Sequence, residues 1–239
     1  MTNRFYVPEI KFENGFMVLG SQGLVNQLNK VLRVKTGEKL YLFDNSGMEY
    51  ETKVHKINPS KIEVRLLNQS LGKQEVEIHI TLYQALLKKD RWVWLLQKVT
   101  ELGVAEIVPF MSEFCIADQI SDTKRERYEK ILTEATEQCG GCKIPKLGEL
   151  QDFEQVVKSI QQKNEKAFLF HPNESAVPIS QAVQGLKEVG LLVGPEGGFS
   201  PKEVELAKSA GIQIASLGKR ILRAETAGII AVGLVLQST

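Results

Sequence analysis

The 239 residues are 43% hydrophobic and 25% charged, an ordinary balance for a globular protein that excludes a disordered chain and leaves room for one large domain or two modest ones. There is no run of about 18 apolar residues, and the opening MTNRFYVPEIKF lacks a basic stretch followed by an apolar one, so a cytoplasmic protein without a membrane span is expected. Three cysteines, Cys115, Cys139 and Cys142, do not make a secreted disulfide framework, and a net charge of +1 means that any nucleic-acid surface has to be local.

From Arg4 to Leu67 the text reads as short strands, FYVP, FMVL, EKLYLF, EYETKVHKI and KIEVRLL, with turns at Asn45-Ser46-Gly47 and Asn58-Pro59-Ser60. One helical stretch interrupts them, with Leu24, Leu28, Val31 and Leu32 at helical spacing beside the basic Lys30, Arg33 and Lys35. This predicts a small, mostly β barrel over residues 1–70. Past a boundary near Ser70 to Lys73 the rhythm changes, and apolar runs alternate with amphipathic helices of about a dozen residues. The runs IHITLYQ, AEIVPF, KAFLF, VGLLVG and IQIASLG suit a largely parallel sheet covered on both faces, giving an α/β domain over residues 74–239. Trp92, Leu95, Leu96, Val99 and Leu102 form the apolar face of a helix ended by Gly103, and Tyr128 to Cys139 repeat the pattern before Gly140-Gly141. The final segment AGIIAVGLVLQ is apolar nearly all round, so it is expected to be buried in the fold or against a second subunit.

Chemistry concentrates in two stretches. In LLVGPEGGFSPKEVE, residues 191–205, a buried strand enters a glycine-rich turn and then a helix with Ser200 at N-cap, Pro201 at N1, Glu203 closing a capping box, and Phe199 and Val204 as a hydrophobic staple. Gly194, Gly197 and Gly198 permit close backbone approach to a flat ligand at the carboxyl end of a strand, or serve only the turn. Neither a P-loop nor the dinucleotide fingerprint is present, which disfavours phosphate cradling. In LGKRILRAETA, residues 217–227, a second strand passes through a glycine into a helix, with Arg220 and Arg223 before Glu225. Those arginines are either solvated or placed to hold RNA phosphate or an acidic group. Cys139 and Cys142 form a CxxC with no second ligand pair at suitable spacing, so packing is expected and no metal.

GPEGGFS, LGKRILRAETA, QKVTELGVAEIVPF and EQCGGCKIP stand together in a chain that resembles the RsmE-type 16S rRNA uridine-N3 methyltransferases of the SPOUT superfamily. RFYVP and LNKVLRVKTGEKLYLFD resemble that family's N-terminal PUA-like barrel, so the likeness spans nearly the whole chain. The resemblance implies a C-terminal trefoil-knotted SPOUT methyltransferase domain, a homodimer placing one subunit's barrel near the other's knot, and S-adenosyl-L-methionine as cofactor. It implies a cofactor site from Leu169, His171 and Pro172, from Gly194, Pro195, Glu196, Gly197 and Gly198, and from Leu217, Gly218, Arg220, Ile221 and Leu222. The partner it implies is 16S rRNA, as RNA or in the assembled small ribosomal subunit, docked by Arg4, Lys30, Arg33 and Lys35.

For methyl transfer to uracil N3, Arg223 is the first candidate to stabilise charge developing on a uracil carbonyl, with Arg4 contributed by the other domain. Glu101, Glu196 and Glu225 are the candidate proton acceptors, although Lys98 and Glu101 also have the spacing of a plain surface pair. Relatives usually carry an arginine at the place of Gly141, and often histidines where Gln27 and Asn29 stand. These departures keep two alternatives open, a SPOUT methyltransferase with another RNA target and a ribosome-assembly RNA-binding protein of weakened activity. A metabolic enzyme using GPEGG for a phosphate is the remaining reading.

Overall fold

Alternating apolar and polar residues over the first third of the chain produce β1 (Arg4–Tyr6), β2 (Phe16–Leu19), β3 (Lys39–Phe43), β4 (Met48–Ile57) and β5 (Ile62–Leu71). In this computed structural model, which describes residues 3–116, 119–172 and 176–238, they form one sheet of order β1-β3-β4-β5-β2. β1 lies parallel to β3 and the other pairs are antiparallel. Asn45 and Gly47 take the left-handed φ of 70° and 88° that the β3–β4 turn requires. Phe5, Leu28, Leu40, Leu42, Ile62 and Val64 fill the core beneath.

The helical stretch departs from its expected register. α1 (Gln22–Asn26) gives way to a π turn over Gln27–Val31, closed by Leu32 N–H donating to the Gln27 carbonyl at 2.9 Å. A π turn adds a residue to each hydrogen-bonded loop. Leu28 therefore stays buried while Val31 and Leu32 reach the surface, where Lys30, Arg33 and Lys35 are exposed beside them.

The chain divides into two compact units, one of Met1–Glu75 with Thr136–Lys143 and the other of Val76–Ala135 with Ile144–Thr239. The expected boundary near Ser70 to Lys73 falls close to the first join. What local sequence could not display is the return of residues 136–143 to the first unit. There Tyr6 N–H donates to Glu137 Oε1 at 2.8 Å, Cys142 N–H to Glu75 Oε1 at 2.5 Å, and Arg4 Nη1 to Cys142 Sγ at 3.2 Å. Arg4 also pairs with Glu49 and is only 8% exposed. Its expected roles at RNA and at a uracil carbonyl are therefore corrected: its guanidinium is held inside its own unit.

In the second unit the apolar runs become β6 (His79–Ala85), β7 (Glu106–Met111), β10 (Ala167–Phe170), β12 (Glu188–Val193) and β13 (Gln213–Ser216). Two-residue strands β8 (Lys146–Leu147), β9 (Gln151–Asp152) and β11 (Val177–Pro178) extend the sheet, whose order is β11-β13-β10-β12-β6-β7-β8 with β9 on β7. Every pairing is parallel. Helices α2 (Lys89–Glu101), α3 (Asp122–Cys139), α4 (Phe153–Lys163), α5 (Ile179–Ala182), α6 (Pro201–Ser209) and α7 (Ala224–Ser238) make the connections.

Strand periodicity sends Ile80 and Leu82 of β6 into one core with Trp92, Leu95 and Val232, and Tyr83 and Ala85 into a second with Phe110, Phe153 and Phe199. Full burial of side chains such as Leu82 and Leu95 contributes about 1.5–3 kcal/mol each. α7 is buried along Gly228, Ala231, Val232 and Val235, while Ile230 is 40% exposed, so the segment is covered on one face and not all round.

Tyr83 Oη of β6 donates to Glu165 Oε2, two residues before β10, at 2.7 Å. Burial lifts the Glu165 carboxyl above its ordinary value, and burial together with Glu165 lifts the Tyr83 phenol. A raised carboxyl holds its proton more tightly in the folded chain, so its stabilisation is complete below about pH 4.3 and is lost as pH rises through the raised value. Glu165→Gln should then match the wild type in urea midpoint near pH 4 and exceed it at pH 8; equal midpoints at both pH values would contradict this.

Candidate active site

Ligand sites in parallel α/β sheets lie outside the carboxyl ends of strands, where the strand order reverses. Here β6 leads outward to β7, whereas β10, β12 and β13 lie on its other side. The segments leaving β10, β12 and β13, together with the amino ends of α2 and α7, enclose a cavity of about 560 Å³. That lies within the usual range of small-molecule sites, roughly 300–1,000 Å³.

The turn after β12 is fixed from both ends. Gly198 N–H donates to the Pro195 carbonyl at 2.9 Å with φ of 74°. Phe199 then drops into the second core, stacked on Phe110 with ring centroids 6.2 Å apart. Ser200 Oγ accepts from Glu203 N–H at 3.3 Å and Ser200 N–H donates to Glu203 Oε2 at 2.8 Å, the expected capping box. Glu203 Oε1 also accepts from Glu113 N–H at 3.0 Å, which ties in the loop after β7. A Cβ on Gly197 would lie 2.8 Å from Phe114 Cβ, and one on Gly194 would lie 3.1 Å from the Phe199 ring. The glycines thus allow the turn to pack against aromatics behind it while its other side borders the cavity.

Of the expected cofactor residues, His171, Pro172, Gly194, Pro195, Glu196, Gly197, Gly198, Leu217, Gly218, Arg220, Ile221 and Leu222 all line this cavity. Leu169 does not. It is fully buried in the second core, and Phe170 lines the cavity instead because successive strand side chains take opposite faces. Arg223 lines the cavity at the start of α7.

Glu101 is corrected as a catalytic candidate. It sits at the far end of α2, exposed and bonded to Lys98 Nζ at 2.7 Å, away from the cavity. Exposed pairs of this spacing contribute well under about 1 kcal/mol. Glu101→Gln is therefore expected to keep the turnover rate within about twofold of wild type, such pairs being nearly neutral; a hundredfold loss in a steady-state assay would restore its candidacy.

Arg91, which the sequence reading passed over, stands at the first turn of α2 and lines the cavity. Its Nη1 meets Glu196 Oε1 at 3.2 Å and its Nε lies 3.9 Å from Glu225 Oε1. One guanidinium thereby ties the turn after β12 to the start of α7. Glu225 is 8% exposed, and its Oε2 has no partner among the described residues. His171 Nδ1 is likewise buried without a partner among the described residues, while the backbone N–H of His171 donates to the Ala215 carbonyl at 3.2 Å. Burial pushes the Cys115 thiol above its usual range, so it is poorly suited to act as a thiolate nucleophile. Among the described residues no group of three or more His, Cys, Asp or Glu is placed to hold a metal ion, and no helix is long and apolar enough to cross a membrane.

Residues 74–236 match the family model of the RNA methyltransferase domain, and residues 28–67 that of the RNA methyltransferase PUA domain. A ribosomal RNA small subunit methyltransferase E from Rickettsia conorii is 32% identical over 239 residues, spanning 98% of this chain and 94% of its own. The chain belongs to the ribosomal RNA small subunit methyltransferase E family. The Bacillus subtilis member is 28% identical over 94% of this chain and 90% of its own. Among solved structures, the methyltransferase E from Neisseria gonorrhoeae bound to S-adenosyl methionine superposes with a TM-score of 0.88 at 31% identity, over 98% of this chain and 96% of that one. A Legionella pneumophila protein described as a methyltransferase in complex with the cofactor SAM gives 0.87 at 33% identity, over 99% and 97%. The glycine turn, Arg91, Glu196 and Arg223 all fall inside the matched RNA methyltransferase domain.

Proposed function

We propose that this chain methylates a uridine of 16S ribosomal RNA at N3, with S-adenosyl-L-methionine bound in the cavity at the carboxyl ends of β10, β12 and β13. The observation that carries the reading is the convergence of the three loop segments on one cavity in a chain of this family. The residues present fit such a cofactor. The turn of Gly194 to Gly198 offers close backbone approach, and apolar Phe170, Val193 and Leu222 can border a flat base. The orphaned His171 Nδ1, on a residue that lines the cavity, supplies a polar partner.

The cofactor brings an activated methyl whose bond to sulfur breaks with the electron pair leaving on sulfur. The protein's task is to aim uracil N3 at that carbon and to favour loss of the N3 proton. Arg223, on the cavity wall, is assigned to the uracil carbonyl on which negative charge develops. Glu196 is assigned as proton acceptor, since it lines the cavity and Glu225 is not among the lining residues. Lys30, Arg33 and Lys35, exposed on the first unit, are assigned to the phosphate backbone of the RNA. A trefoil knot in the second unit, a PUA-like barrel in the first, and a cytoplasmic homodimer acting on the small ribosomal subunit complete the reading.

Isothermal titration of S-adenosylmethionine, ATP and NAD into the purified protein tests the cofactor assignment. Saturable heat from S-adenosylmethionine alone is expected. Heat from ATP or NAD with none from S-adenosylmethionine would overturn it in favour of a nucleotide-binding enzyme.

A further inference from the structure

We propose that Gln84 is a positioning residue of the methyl-donor cavity: its buried carboxamide holds the last carbonyls of β12 where the chain leaves the sheet to form the cavity turn. The proposal rests on the cofactor assignment above, and it starts from the strand register. Val193 is the last residue of β12 and pairs with Gln84 of β6. Beyond that pair, the carbonyls of the departing chain lose their strand partners, and a buried carbonyl needs a donor. Gln84 supplies it. Its side chain is fully buried, and Nε2 lies 3.3 Å from the Val193 oxygen, 3.4 Å from the Gly194 oxygen and 3.3 Å from the Ala85 oxygen. Val193 and Gly194 both line the cavity.

The other end of the carboxamide points to the same role. Gln84 Oε1 is buried with no partner among the described residues, so an apolar side chain of the same length would be cheaper to bury there. α7 makes room for that oxygen by having a glycine, since a Cβ on Gly228 would stand 2.7 Å from it. Gly228 follows Ala227 and lies one turn beyond Ala224, both of which line the cavity. The carboxamide thus lies between the cavity turn and the helix that forms another of the cavity's walls. Its two N–H donors are shared among three carbonyls at 3.3–3.4 Å, two of which, those of Val193 and Gly194, belong to the chain entering the cavity turn.

The test compares wild type, Gln84→Met and Gly228→Ala in methyl transfer and in ligand-free hydrogen exchange. Gln84→Met keeps length and volume and removes the N–H donors; Gly228→Ala puts a Cβ 2.7 Å from Oε1 and 2.8 Å from the methyl end of Leu95, whose flexible tip can yield. Both are expected to raise KM for S-adenosylmethionine by about tenfold or more, with kcat at saturation and KM for RNA within about threefold, because only the cofactor loop is displaced. Amides of residues 196–198 are expected to exchange faster in both ligand-free variants. A KM for S-adenosylmethionine within about twofold of wild type in either folded variant, with unchanged exchange at the turn, would overturn the proposal. Should the wild type itself fail to bind S-adenosylmethionine, the cofactor assignment falls, and exchange at residues 196–198 still decides the role of Gln84.

Discussion

Replacing Gly197 with arginine is expected to abolish measurable S-adenosylmethionine binding, weakening it by about a hundredfold or more, equivalent to roughly 2.7 kcal/mol. Any side chain at this position begins with a Cβ 2.8 Å from Phe114 Cβ, and neither carbon is the far end of a flexible chain. The turn and the loop after β7 must therefore part. The clash lies on the side of the turn that faces Phe114, so relieving it displaces the backbone that Gly197 contributes to the cavity wall. The fold should survive, because Gly197 belongs to neither hydrophobic core and the anchor at Phe199 and Ser200 remains. Titration calorimetry beside a thermal melt reads both effects. A folded variant that binds as tightly as wild type would show that the cofactor does not use this turn.

Arg223→Gln should lower the single-turnover rate of methyl transfer by about 10²–10³ at saturating cofactor and RNA, the usual loss on removing one donor aimed at developing oxyanion charge. The argument rests on location and availability. Arg223 lines the cavity, and no ion pair engages it among the described residues, whereas Arg91 already faces Glu196 and Glu225. Arg223→Lys keeps the charge without the planar fork and should recover part of the rate. A rate for Arg223→Gln within about fivefold of wild type would remove Arg223 from the chemistry.

The sites that sequence could place are those written in contiguous residues. VGLLVG is apolar without alternation because β12 is covered on both faces, and the turn GPEGG is bounded by a capping box that needs only residues 199–204. Arg91 belongs to the same site, yet its relevance depends on β6 lying beside β12, an adjacency decided by chain crossings across about a hundred residues. The clue available was a basic residue just past the carboxyl end of an apolar strand, the pattern that drew attention to Arg220 and Arg223. Leu169 and Phe170 differ by one step of strand parity, which contiguous apolar residues do not reveal, and Phe170 is the one whose side chain faces the cavity. The setting of Arg4 is not legible locally, because its partners Glu49 and Cys142 lie 45 and 138 positions away in sequence. Glu101 shows the opposite case, since its i to i+3 spacing from Lys98 was sufficient to describe its surroundings.

The most direct test of the central claim is to incubate the protein with methyl-labelled S-adenosylmethionine and small ribosomal subunits lacking this methylation, then digest the 16S RNA and resolve its nucleosides by mass spectrometry. The account predicts label in 3-methyluridine, absent from parallel reactions with the Gly197→Arg variant. Label in any other nucleoside, or none in ribosomal RNA while bulk transfer RNA becomes labelled, would contradict it.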